Sequence, residues 1–205
     1  MTDALRAPAR AIARLLLALA ACAAALPAAA FDHGYAAWGA LLEKHVRYLP
    51  EGNSSRVDYA GMARDGTKLA AVLGDFQKVT RAEFDAWTQP QREAFLINAY
   101  NAFTIAKVLT RYPGLRSIRD FGSIFGNPWK DRFFRLLGEE RSLDDIEHGM
   151  LRREGVYDEP RVHFAVVCAS VGCPMLRDEA FTAARLEEQL EDGMRRFLSD
   201  RSRNR

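Results

Sequence analysis

Apolar residues recur at helical spacing over residues 36–46. Ala37, Leu41, Leu42 and Val46 share one stripe there, which predicts a first amphipathic helix. A turn cluster, Pro50-Glu51-Gly52-Asn53-Ser54-Ser55, follows it. Residues 57–76 read mostly as helix, interrupted near Gly66. Thr80, with Glu83 three residues on, has the pattern of a capping box and predicts a short helix to residue 87. The strongest pattern covers residues 91–111, opened by Pro90 and stopped by Pro113-Gly114.

Beyond it the pattern weakens. Residues 112–131 read as irregular, with Gly122, Gly126, Asn127 and Pro128. Residues 132–137 and 140–142, around Gly138, predict a small hairpin. Ser142, with Asp145 in the third position, predicts the cap of a helix over residues 143–153. Val162-His163-Phe164-Ala165-Val166-Val167-Cys168 reads as a buried strand between Pro160 and the Gly172-Cys173-Pro174 turn. A last helix starts at Thr182 and carries Leu186, Leu190, Met194 and Phe197 on one stripe. These elements describe a helix-rich α+β domain with a small sheet.

The first 30 residues follow a different logic. Arg6, Arg10 and Arg14 precede an apolar run from Leu15 to Leu26, then Pro27 and Ala28-Ala29-Ala30. This is the pattern of a secretory signal peptide cleaved before Phe31, which leaves residues 31–205 as one domain. The run is too short for a membrane span of ~20 residues, and no other segment could cross a bilayer. Leu19-Ala20-Ala21-Cys22 is a competing signal, a lipobox that would anchor the chain through Cys22. The expected location is periplasmic or secreted, with the lipid anchor as the lesser reading. Removing the leader takes away three arginines and one aspartate, and with them the whole formal net charge of +2. A neutral body lacks the basic footprint that nucleic-acid binding requires.

Loss of the leader leaves two cysteines, Cys168 and Cys173. One reading pairs them in a small-loop disulfide, as an oxidising compartment favours. The other makes Cys168 a nucleophile, with Ser170 and nearby N–H groups receiving an oxyanion. A nucleophile needs a base within ~2.6–3.2 Å. His163 fails this test if residues 163–168 form one strand, because five steps of ~3.3 Å separate the two Cα atoms by roughly 16 Å. His148 escapes the objection: it sits on another helix, three and four residues after Asp145 and Asp144. Asn98 and Asn101 share a face of the long apolar helix, and buried amides there must find partners. They either pin a loop's backbone or line a cleft, orient a histidine and bind substrate. His148, His163, Cys168 and Cys173 are four ligand-type residues, and the cysteines have the loosest usual ligand spacing, but no close His pair accompanies them; a metal site is the lesser reading, and the expectation is neither metal nor cofactor.

Several runs of sequence resemble one family. Val57-Asp58-Tyr59, Glu93-Ala94-Phe95-Leu96-Ile97-Asn98-Ala99-Tyr100-Asn101-Ala102, Leu143-Asp144-Asp145-Ile146-Glu147-His148-Gly149 and the segment from Pro160 to Pro174 are similar, in order, to the family of domain of unknown function 547. The resemblance covers residues 57–198. It implies a likeness to papain-like or transglutaminase-like cysteine hydrolases, with Cys168 and His148 as carried-over candidates and His163 in reserve. Here His precedes Cys, so a papain-like site requires a permuted chain. Members of the family continue past the last helix, which implies that a C-terminal part is missing here.

Two functions follow as expectations. One is an exported thiol-dependent hydrolase or acyltransferase acting on a peptide or protein substrate, with Cys168 as nucleophile, His148 as base, and Asn98, Asn101 and Ser170 in support. The other is a non-catalytic envelope module, for binding or structure, in which Cys168 and Cys173 form a disulfide.

Overall fold

The long helix predicted at residues 91–111 organises the protein. The computed structural model describes residues 30–115, 117–121 and 127–204, so the leader and Cys22 lie outside the described residues. In chain order the elements are α1 (Ala36–His45), β1 (Val46–Tyr48), β2 (Ser55–Val57), α2 (Tyr59–Arg64), α3 (Gly66–Lys78), α4 (Arg81–Asp85) and α5 (Gln89–Leu109). After them come β3 (Phe134–Leu136), β4 (Glu139–Arg141), α6 (Leu143–Ile146) and α7 (Leu186–Ser199). Among the described residues, 3-10 turns lie at Ile118–Phe121, Pro128–Lys130 and Pro160–Phe164. Among the described residues the sheets are two antiparallel pairs, β1–β2 and β3–β4. The protein is a helix-rich α+β domain.

α5 begins with a full capping box, Thr88 with Gln91, and Pro90 in its first turn. It is buried on nearly every side: Ala94, Phe95, Leu96, Ile97, Ala99 and Ala102 have no exposed surface. α3 packs against it with α1 behind. Phe95 takes the rings of Phe76, Phe84 and Trp87 at 5.2–5.6 Å between centroids, and Phe103 stacks on Phe134 of β3 at 3.9 Å. Burying each such side chain contributes roughly 1.5–3 kcal/mol, so α5 anchors the fold.

The structure corrects two sequence readings. Val57 ends a strand instead of starting a helix: β2 pairs with β1, Asp58 caps α2, and the Asp58 side chain accepts the Gly61 N–H. Strands of three residues are too short for alternation to reveal. The segment 162–168 is not a strand. Glu159 caps a 3-10 turn from Pro160 to Phe164, and the chain then runs on irregularly.

Gly61 marks a close approach between helices. A Cβ there would fall on the Asp58 carboxylate and lie 2.6 Å from Nδ1 of His45. His45 cannot yield, since it is buried and its Nε2 lies 2.8 Å from Asp65. Overpacking of this kind costs ~1–3 kcal/mol, against a helix-propensity gain of up to about 1 kcal/mol. Gly61→Ala should therefore lower stability in urea denaturation by about 1–2 kcal/mol. Gly74→Ala, which meets nothing within 4 Å, should be neutral or stabilising.

Candidate functional site

Asn98 and Asn101 leave one face of α5 and take hold of distant backbone. The Asn98 amide donates to the carbonyl of Phe181 at 2.7 Å, and its oxygen accepts the Phe181 N–H at 3.0 Å. The Asn101 amide donates to the carbonyl of Ala165 at 2.9 Å and accepts the Val167 N–H at 3.0 Å. Each side chain supplies the donor and acceptor that a neighbouring strand would otherwise provide. Residues 162–168 read as a strand in sequence because they are apolar, yet among the described residues they pair with no strand. Both amides are buried, 1% and 3% exposed.

A third amide completes the pattern, and sequence reasoning missed it. Gln189 of α7 is fully buried; it donates to the carbonyl of Ala180 at 2.9 Å and accepts the Thr182 N–H at 3.0 Å. Segment 180–182 is thus held from one side by Asn98 and from the other by Gln189. It has the bonding of a central strand without a sheet. The clamp also explains why α7 starts at Leu186 and not at Thr182. The available signal was a polar residue three positions after Leu186 on an apolar stripe.

Cys168 and Cys173 are joined in a disulfide with a Cα–Cα separation of 6.1 Å. Ser170 lies within the loop it closes, its hydroxyl 3.6 Å from the Cys168 sulfur and 3.4 Å from that of Cys173. The loop is held at both ends. Asn101 grips the chain before it, and Arg203 donates to the Cys173 carbonyl at 2.6 Å and to the Asn53 carbonyl in the β1–β2 turn.

The histidines lie elsewhere. His148 is on a π-helical turn, Glu147–Leu151, that continues α6. Its Nδ1 is 3.4 Å from Asp144, and its Nε2 is 3.0 Å from the Arg152 guanidinium. Arg152 can only donate, so Nε2 accepts and the ring proton sits on Nδ1. His163 lies in the Pro160–Phe164 turn, where partial desolvation, with the Arg152 cation and His148, lowers its pKa from the ordinary value. The structure brings Cys168, Cys173 and Ser170 together with Asn101, and groups His148 instead with Asp144 and Arg152. Among the described residues, no group of three His, Cys, Asp or Glu is arranged to hold a metal ion.

A cleft of about 560 Å3 opens beside the disulfide loop. Its walls are the β1–β2 hairpin, the loop from Val167 to Leu176 and the chain after α7, and its floor is α5 at Asn101, Thr104 and Ile105. No histidine lines it. Burial pushes the Tyr59 phenol at its edge up to about 12, so the group there is a neutral hydroxyl. Asn101 faces this cleft with its amide already bonded to backbone; Asn98 does not line it.

One family model matches the chain, described as "Protein of unknown function, DUF547", over residues 84–198. No curated protein and no solved structure matches it. The matched stretch contains α5, the π-helical turn, the disulfide loop and nearly all of α7, and so all three amide clamps.

Proposed function

The chain belongs to the DUF547 family, and we propose from its site that it works as an exported, non-catalytic binding module whose cleft is shaped by the Cys168–Cys173 disulfide. The observation that carries this reading is that disulfide. It occupies the sulfur that a hydrolase would need as nucleophile, and it closes the loop that walls the cleft. The amide of Asn98 and that of Asn101 have their donor and acceptor already engaged with backbone. A pocket of this volume, with apolar and polar side chains both on its walls, suits a ligand. Export fits the same bond, since disulfides persist in oxidising compartments. The leader would then be cleaved before Phe31, with the protein periplasmic or secreted.

A non-reducing peptide map of the protein recovered from outside the cytoplasm tests this. The expected result is an N-terminus at Phe31 and a cross-linked fragment containing Cys168 and Cys173. A lipidated Cys22 would overturn the cleavage and replace it with membrane anchoring. Two free thiols would overturn the module in favour of the hydrolase.

A further inference from the structure

The two-stranded sheet carries an open edge, and the cleft runs along it. Its register sets Val46 against Val57, Arg47 against Arg56 and Tyr48 against Ser55. The Leu49 N–H donates to the Ser54 carbonyl and the Asp58 N–H to the His45 carbonyl. Antiparallel ladders alternate, so Arg56 turns its backbone groups to β1 while Ser55 and Val57 turn theirs outward. Among the described residues, nothing hydrogen-bonds these four outward groups. Ser55, Arg56 and Val57 all line the cleft. Successive side chains of a strand point to opposite faces, so three in a row border one cleft only where it follows the strand's edge.

Charge narrows the occupant. Arg47 and Arg56 are cross-strand neighbours on one exposed face. Arg47 spends donors on the carbonyls of Glu43 and Val46, and neither guanidinium has a carboxylate partner among the described residues. Like charges set opposite each other destabilise a sheet, and an acidic side chain on a third strand relieves them. A second observation lies on the floor. Thr104 is 3% exposed, and its buried hydroxyl has no hydrogen-bond partner among the described residues. An unpaired group of this kind is costly, and it lies in the layer that forms the cleft's floor.

We propose that the cleft receives an extended peptide segment as a third strand on β2, with an acidic residue beside Arg56 and apolar residues on either side of it. The backbone of the segment pairs with Ser55 and Val57, as in other cases of strand addition. Its apolar neighbours turn inward towards Tyr59, Ile105 and Leu176. This deepens the binding-module reading and rests on it.

The test uses the full chain and two pools of fluorescein-labelled heptapeptides. Both have Val, Ile or Leu on either side of the centre and Ser or Gly at the ends. One has Glu at the centre and the other Lys. Fluorescence anisotropy should show the Glu pool binding at least about tenfold more tightly. Arg56→Glu should reverse the preference. Val57→Pro should abolish binding, because proline there removes only the outward N–H and leaves the ladder to β1 intact; an unchanged melting temperature shows that the fold survives. If that variant does not fold, Arg56→Glu decides alone. No binding by either pool, equal binding by both, or binding that survives Val57→Pro in the folded variant overturns the proposal. Mass spectrometry of the incubated peptides separates the two readings. A cleaved peptide contradicts the non-catalytic module and leaves strand docking standing, whereas an intact but unbound pool does the reverse.

Discussion

Asn98→Leu should cost about 2–6 kcal/mol of folding stability, because one side chain leaves two buried backbone groups unpaired at ~1–3 kcal/mol each. Leucine has the branched outline of asparagine and is bulkier, so no cavity contributes. What is lost is the pair of bonds to Phe181. For a domain of this size the melting temperature should fall by roughly 5–20 °C. Gln189→Leu should be costly for the same reason. The double variant should lose less than the sum, since both clamps hold segment 180–182 and the second loss falls on a segment already released. Urea denaturation of the two single variants and the double variant measures all three. An unchanged stability for Asn98→Leu would mean that its amide faces the solvent or an open site.

Glu93→Gln should stabilise the protein at alkaline pH. Glu93 is buried in the first turns of α5, and one carboxylate oxygen has no hydrogen-bond partner among the described residues. Burial, reinforced by Glu159 and Glu187 and opposed by Arg161, raises its pKa from the ordinary carboxylate value to about 7. The folded state therefore holds this proton more tightly than the unfolded chain does. Its contribution is fully present below the unfolded value, about 4.5, and is lost as pH rises through about 7. At ~1.4 kcal/mol per unit, the difference is about 3 kcal/mol. Glutamine carries no proton to lose. The variant should thus gain on the wild type by about 2–3 kcal/mol between pH 5 and pH 8.5. Denaturation curves at the two pH values check this, and a constant difference between the proteins would refute it.

Much of this frame was legible in the sequence because its signals are local. The capping pairs at Thr80 and Ser142, Pro90 at the head of α5 and the stripe on α7 all act within one or two turns of helix. The hairpin around Gly138 was legible for the same reason. The β1–β2 pair was not, because three-residue strands carry no readable alternation. Segment 162–168 misled for a deeper reason. Its apolar run is real, and its backbone does need partners, but Asn101 supplies them from 64 positions away. The same non-locality hid Gln189, and it kept the roles of Asn98 and Asn101 open until their partners were visible. Thr104 was overlooked although it stands three residues after Asn101 on the same helix. No regular strand separates His163 from Cys168, because His163 lies in the Pro160–Phe164 turn. The structure instead places both histidines beside Arg152 and leaves the cleft without one.

The most direct test of the account is the reactivity of Cys168 towards iodoacetamide as a function of pH, in the native protein and after reduction. In the native protein the disulfide should leave no reactive thiol. After reduction, Cys168 should react slowly below neutral pH, as an unassisted cysteine does. His148→Ala and His163→Ala should leave that rate unchanged, because Asp144 and Arg152 engage the first ring and the second stands apart from the cleft. A native thiol at Cys168 that alkylates quickly below pH 7, and slows when His148 is replaced, would contradict the account and restore the hydrolase.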